Sequence, residues 1–242
     1  SMNAVSLSDL KLKIYADGAD INKIKIFDNN PLIKGFTTNP TLMKKAGIKD
    51  YKKFAFNVLK LIKKKPVSFE VFADDLKLMK LQAKEISTWG KNVYVKIPVT
   101  NSKGKSTKKI IYELSKEGIN LNITAVFTKK QIKETIKALD KNSKSIISVF
   151  AGRIADTGLD PSSIIKYSIK AAKKKKIEVL WASTRETLNI FEAQKIKCHI
   201  ITVPHSILAK FNFIGMNLNK LSLETVKLFL QDSIKAGFKI NI

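Results

Sequence analysis

Val93-Tyr94-Val95-Lys96-Ile97-Pro98 reads as a β-strand that is apolar everywhere except at Lys96. β-branched and aromatic residues favour the pleated, packed setting of a strand, and Pro98 closes the run. Apolar residues at successive positions fit a parallel strand covered on both faces. Working outward, seven further runs look alike: Leu12–Ala16, Gly35–Thr37, Val67–Phe72, Leu121–Ala125, Ile146–Phe150, Glu178–Ala182 and His199–Val203. Between them lie amphipathic helical patterns at Tyr51–Lys63, Leu76–Trp89, Ser106–Lys116, Lys130–Leu139, Ser162–Lys175 and Arg185–Lys195. Asp160-Pro161 reads as an N-cap followed by proline at the first helical position. A last helix is expected over 221–237, after the eighth unit. Eight βα units in 242 residues predict an α/β chain folded as a single (β/α)8 barrel over 1–242, with residues 1–10 as an extension. The competing reading, an open doubly wound sheet, lacks a Gly-rich dinucleotide fingerprint after any strand.

Composition narrows the class. Hydrophobic residues make up 44% and charged residues 27%, as in a globular protein. No apolar run reaches the length of a membrane span, and the N-terminal stretch lacks the apolar core of a signal peptide. One cysteine, Cys198, cannot pair within the chain, so a cytoplasmic location is expected. The formal net charge is +25, yet of the basic residues 43 are Lys and only Arg153 and Arg185 are Arg. Specific nucleic-acid readers favour the forked guanidinium. Lysines spread over helix faces instead suggest a solvated surface, so neither a specific nucleic-acid nor a membrane partner is expected.

Barrels of this kind carry their sites at the C-terminal strand ends. The polar residues there are Asp17, Thr37-Thr38-Asn39, Glu70, Lys96, Asn122 with Thr124, Ser148 with Arg153, and Ser183 with Arg185. Seven of the eight strands contribute; the eighth offers none. Lysine is rarely buried without a partner. An apolar setting lowers its pKa and exposes the neutral amine that attacks carbonyls to form a Schiff base. The rival reading is a strand-end lysine that snorkels to solvent. Asp17 and Glu70 supply carboxylates for proton transfer, although Asp17-Gly18 also suits a turn. Both arginines follow strands, six and seven, on the side where barrels bind phosphate, and guanidinium matches a phosphate monoester bidentately. Ser148 and Ser183 add hydroxyls there. Asp156 is placed to pair with Arg153, and Phe150 to form a pocket wall. His199 and His205 lack metal-ligand spacing and read as structural; the Lys173–Lys176 run reads as a charged helix end.

Several segments together resemble the transaldolase family: Tyr15-Ala16-Asp17, Gly35-Phe36-Thr37-Thr38-Asn39-Pro40, Val95-Lys96-Ile97-Pro98-Val99-Thr100, Phe150-Ala151-Gly152-Arg153-Ile154 and Ala182-Ser183-Thr184-Arg185. The resemblance spans about residues 12–237 and implies a (β/α)8 barrel without metal or cofactor, acting on sugar phosphates and assembled as a homo-oligomer. It implies Lys96 as the Schiff-base lysine and Asp17 as the acid/base at the C4 hydroxyl. Glu70 and Thr124 would hold a catalytic water. Thr37, Asn39, Asn122, Ser148, Phe150 and Ser183 would contact substrate, and Arg153 and Arg185 its phosphate. Relatives that act as fructose-6-phosphate aldolases carry Gln, a small apolar residue and Tyr where this chain has Glu70, Asn122 and Phe150, which favours transfer over release. The segment 153–158 and the residues after strand eight leave the acceptor open.

Overall fold

All eight apolar runs are strands. The computed structural model describes residues 7–242, so residues 1–6 of the expected extension lie outside the described part. The strands are β1 (Lys13–Asp17), β2 (Ile33–Thr37), β3 (Val67–Glu70), β4 (Val93–Pro98), β5 (Leu121–Val126), β6 (Ser145–Phe150), β7 (Ile177–Ala182) and β8 (Ile200–Pro204). They pair in parallel in sequence order and close β8 onto β1, with Asp17 opposite Pro204. The helices are α1 (Ile21–Asp28), α2 (Pro40–Lys45), α3 (Tyr51–Leu61), α4 (Leu76–Ser87), α5 (Lys108–Lys116), α6 (Lys129–Ala138), α7 (Ala151–Ala155), α8 (Ser162–Ala172), α9 (Leu188–Lys195), α10 (His205–Leu208) and α11 (Leu218–Ala236). No helix among the described residues is long and apolar enough to cross a membrane.

Strand periodicity sorts the core into two layers. Ala16, Phe36, Phe69, Val95, Ile123, Val149, Trp181 and Val203 pack outward with the helices in one large cluster. Tyr15, Tyr94, Ile146, Leu180 and Ile200 form a second cluster inside the barrel. Tyr15 needs Gly35 beside it, because a Cβ there would lie 2.5 Å from the phenol ring. Below this layer, Lys13 and Glu178 pair at 2.5 Å at the strands' N-terminal ends. The barrel is therefore filled, and apart from the Lys13–Glu178 pair beneath it, the polar residues of the same strand faces collect above the tyrosines.

Local hydrogen bonds shift several expected boundaries. β3 stops at Glu70, not Phe72, because the N–H groups of Phe72 and Ala73 donate to Gln82 Oε1 on α4 at 3.0 and 2.9 Å. α1 and α2 are short helices that the hydrophobic pattern did not reveal; the Asp20 and Asn39 side chains cap them. α8 begins after Pro161, and Asp160 Oδ1 accepts from the Ser162 N–H at 2.9 Å. Arg185 precedes α9 rather than opening it, since Asn189 Oδ1 accepts from the Arg185 and Glu186 N–H groups. α11 starts at Leu218, capped by Asn217.

The Lys173–Lys176 run also does more than end its own helix. Lys175 Nζ donates to the Ile136 and Leu139 carbonyls, at 2.5 and 2.6 Å, and so caps the C-terminus of α6. His199 Nδ1 accepts from the Val179 N–H at 2.8 Å, and the His205 ring packs on Phe27 with centroids 5.0 Å apart. The Cys198 thiol is buried against backbone carbonyls, and burial pushes its pKa up to about 12. Asp17 is not part of a tight turn: it is the last residue of β1, and the Gly18 N–H donates to the Thr37 carbonyl at 3.1 Å.

Candidate active site

A cavity of about 390 Å³ opens at the C-terminal ends of the strands. Asp17, Thr37, Asn39, Glu70, Lys96, Thr124, Ser148, Phe150, Arg153, Ser183 and Arg185 all line it. That is every expected site residue but Asn122. Strand alternation is the cause: in register, Glu70 faces Lys96, Pro98 faces Thr124 and Phe150 faces Ala182, so each strand sends its polar position inward.

Lys96 is 6% exposed. Its Nζ donates to the Thr38 carbonyl at 3.0 Å and lies 3.9 Å from Glu70 Oε1. The surroundings of the amine are therefore more polar than the apolar setting expected from the strand sequence, because carboxylates from β1 and β3 face it. Burial raises the pKa of Asp17; the Lys96 charge and the Thr37 hydroxyl, which donates to Asp17 Oδ1 at 3.0 Å, oppose this. Burial likewise raises Glu70 against the pull of Lys96. Tyr51 fixes the end of β3 by donating its hydroxyl to the Glu70 carbonyl at 2.6 Å.

Asn122 is fully buried and lies beneath the cavity wall. Its Nδ2 donates to Ser68 Oγ at 3.1 Å, and its Oδ1 accepts from Ser148 Oγ at 2.7 Å. Asn122 was expected at the substrate; here it is an internal strut joining β3, β5 and β6, one hydrogen bond behind the cavity-lining Ser148. Asn39 lines the cavity, but its Oδ1 accepts from the Leu42 N–H at 2.9 Å, which leaves its amide N–H groups as the donors it can offer. The Thr124 hydroxyl is buried with no hydrogen-bond partner among the described residues. Phe150 stacks on Phe127 with centroids 5.6 Å apart.

At the rim, Asp156 pairs with Arg185 at 2.6 Å and not with Arg153 as expected. Arg153 sits on α7, which presses close to the loop after β7: a Cβ on Gly152 would lie 1.7 Å from the Ser183 carbonyl oxygen. Ser183 and Ala125, both at the cavity, adopt left-handed backbones with φ of 61° and 59°. Such strain in non-glycine residues concentrates at functional sites. The sequence reading also missed Thr202 on β8, which lines the cavity and contacts Thr37, and Ser68, which holds Asn122. Their signal was a lone hydroxyl in an apolar strand. Among the described residues no three His, Cys, Asp or Glu side chains gather as metal ligands would.

A filled parallel barrel with a buried lysine between two carboxylates, and arginines at its mouth, defines an aldol-type barrel enzyme. The chain matches the family model described as transaldolase/fructose-6-phosphate aldolase over residues 14–241, and it belongs to that family. It is 36% identical to a "probable transaldolase" of Nitrosopumilus maritimus (strain SCM1), over 91% of this chain and 94% of that one. Against one of Thermoanaerobacter sp. (strain X514) identity is 32%, covering 95% of this chain and all of the other. A solved 2,3-dimethylmalate lyase shares the fold alone, with TM-score 0.54 and 10% identity over 96% of this chain and 85% of that one. The protein is thus an enzyme of the transferase/aldolase kind.

Proposed function

We propose that the protein transfers a dihydroxyacetone unit between sugar phosphates through a Schiff base on Lys96. The observation that carries this is the buried Lys96 amine, 3.9 Å from Glu70 in a cavity it shares with Asp17. An amine attacks a ketone only after losing a proton. Two nearby carboxylates with raised proton affinity suit the acceptor role, and the unpartnered Thr124 hydroxyl suits a water held with Glu70. Lys96 adds to the C2 carbonyl of a ketose phosphate, and water leaves as the imine forms. Asp17 takes the C4 hydroxyl proton, the C3–C4 bond breaks, and its electron pair moves toward the imine nitrogen. An aldehyde leaves, and the three-carbon unit stays as an enamine. An acceptor aldose phosphate then enters and the steps reverse. The nitrogen is the electron sink, so the reaction as written draws on no metal or cofactor. Arg153 and Arg185 bind the phosphate; for Arg185, phosphate takes the place of Asp156.

Glu70 and Phe150 favour transfer over the aldolase alternative, in which free dihydroxyacetone is released. The chemistry fits a cytoplasmic step of pentose phosphate interconversion. The test is borohydride reduction with fructose 6-phosphate, followed by peptide mass spectrometry. Adduct mass on the Lys96 peptide is expected, and Lys96→Arg should abolish both adduct and turnover with the fold intact, because guanidinium stays protonated. Trapping on another lysine would overturn the mechanism.

A further inference from the structure

β8 supplies a group that the mechanism above does not use. Thr202 is 4% exposed and lines the cavity, and its hydroxyl is hydrogen-bonded to that of Thr37. A threonine hydroxyl has one proton to give. Thr37 gives its proton to Asp17 Oδ1, so in the bond between the two threonines Thr202 is the donor. The order is therefore Thr202 to Thr37 to Asp17, crossing β8, β2 and β1.

We propose that Thr202 is a positioning residue that acts through Thr37 to hold the Asp17 carboxylate ionised and to let it alternate between base and acid. This rests on Asp17 being the acid/base of the proposed reaction. While Asp17 is a base, both hydroxyl dipoles point at it. Once it has taken the C4 proton it becomes a donor; Thr37 rotates to accept from Asp17 and to donate to Thr202, whose own proton turns to the cavity it lines. No proton travels along the chain. Only the hydroxyls reorient, so Asp17 and Thr37 are paired in both states. Aligned hydrogen bonds in a low-dielectric site polarise one another, so the outer hydroxyl is felt at the carboxylate. Charged neighbours set the background: Lys96 from β4, with Glu70 from β3 behind it and Arg153 and Arg185 at the rim. Pro204 of β8 is the register partner of Asp17, and His205 of α10 packs on Gly18 and Phe27.

The experiment is a titration of the Asp17 carboxyl by carbon-13 NMR on aspartate-labelled full-length protein, the signal being assigned by its loss in Asp17→Asn. Thr202→Val keeps the shape and removes the hydroxyl; Thr202→Ala is a second hydroxyl-free variant, and Thr202→Ser restores the donor. Loss of a bond favouring the charged form moves a carboxyl pKa upward. Val and Ala should raise the midpoint by about half a pH unit or more, and Ser should leave it near the parent value. The acid limb of kcat/KM for fructose 6-phosphate cleavage should move with it. An unchanged midpoint in Val and Ala, or a shift in Ser equal to theirs, overturns the proposal. Retained turnover in Asp17→Asn would instead sink the acid/base reading, while the Asp17 titration would still report on the hydroxyl chain.

Discussion

Phe150 ends β6 with its ring against Phe127 and one face toward the cavity. A phenyl ring offers water neither donor nor acceptor. In the reaction proposed above, the enamine carbon on Lys96 escapes only by protonation and attack of water on the imine, so this wall would disfavour release. Phe150→Tyr adds a hydroxyl at small cost in volume. Free dihydroxyacetone from fructose 6-phosphate should rise and transfer to an acceptor should fall when both products are assayed together. An unchanged ratio would mean that Phe150 only packs. Single residues were readable from sequence where a charge or amide interrupts an apolar strand, as at Lys96, Glu70 and Asn122. Thr202 escaped notice because threonine is an ordinary strand former. The burial of Asn122 behind Ser148 depends on which strands become neighbours, and no pattern within one strand carries that information.

At the level of elements, the proposed phosphate site would depend on how closely α7 approaches the β7 loop. Gly152 permits the contact with the Ser183 carbonyl, and the next residue is Arg153. Gly152→Ala must push one segment away. It should lower kcat/KM for phosphorylated substrates at least as much as Arg185→Lys does. A hydrogen bond to a charged group contributes roughly 1.5–3 kcal/mol, or about ten- to a hundredfold. Turnover of the unphosphorylated analogues should hold in both variants. Equal losses on the two substrate classes would show that neither residue serves the phosphate. The longer helices were visible in their amphipathic spacing. α1, α2, α7 and α10 were not: the last three have six residues or fewer and leave little periodicity, and α1 is set by its Asp20 cap. The cap that Lys175 places on α6 joins elements 36 residues apart, beyond any local reading.

For the whole molecule, closure of eight strands followed from counting the apolar runs, but the course of the last helix did not. α11 buries none of its residues, although Leu223, Val226, Phe229, Leu230 and Ile234 are apolar. The same chain carries an apolar groove between α3 and α4, lined by Tyr51, Phe72, Leu78, Leu81 and Trp89. Apolar surface left in water is costly, and a second copy offers a groove of matching chemistry. We propose a homo-oligomer in which α11 covers a neighbouring subunit. Light scattering should give a mass of several chains for the parent and of fewer for Val226→Glu/Leu230→Glu. A monomeric parent would refute the assembly.

The packed tyrosine layer under Lys96 has a kinetic consequence. Nothing can pass through the barrel from below, so the two sugars of the proposed reaction would share one doorway. In the proposed reaction the aldehyde formed first must vacate the space before its replacement comes in, while Lys96 holds the fragment. Turnover becomes strict turn-taking. Reciprocal plots against donor at several acceptor concentrations should be parallel lines, and excess acceptor should inhibit by occupying the doorway ahead of the donor. Intersecting lines would mean that the two sugars fit side by side.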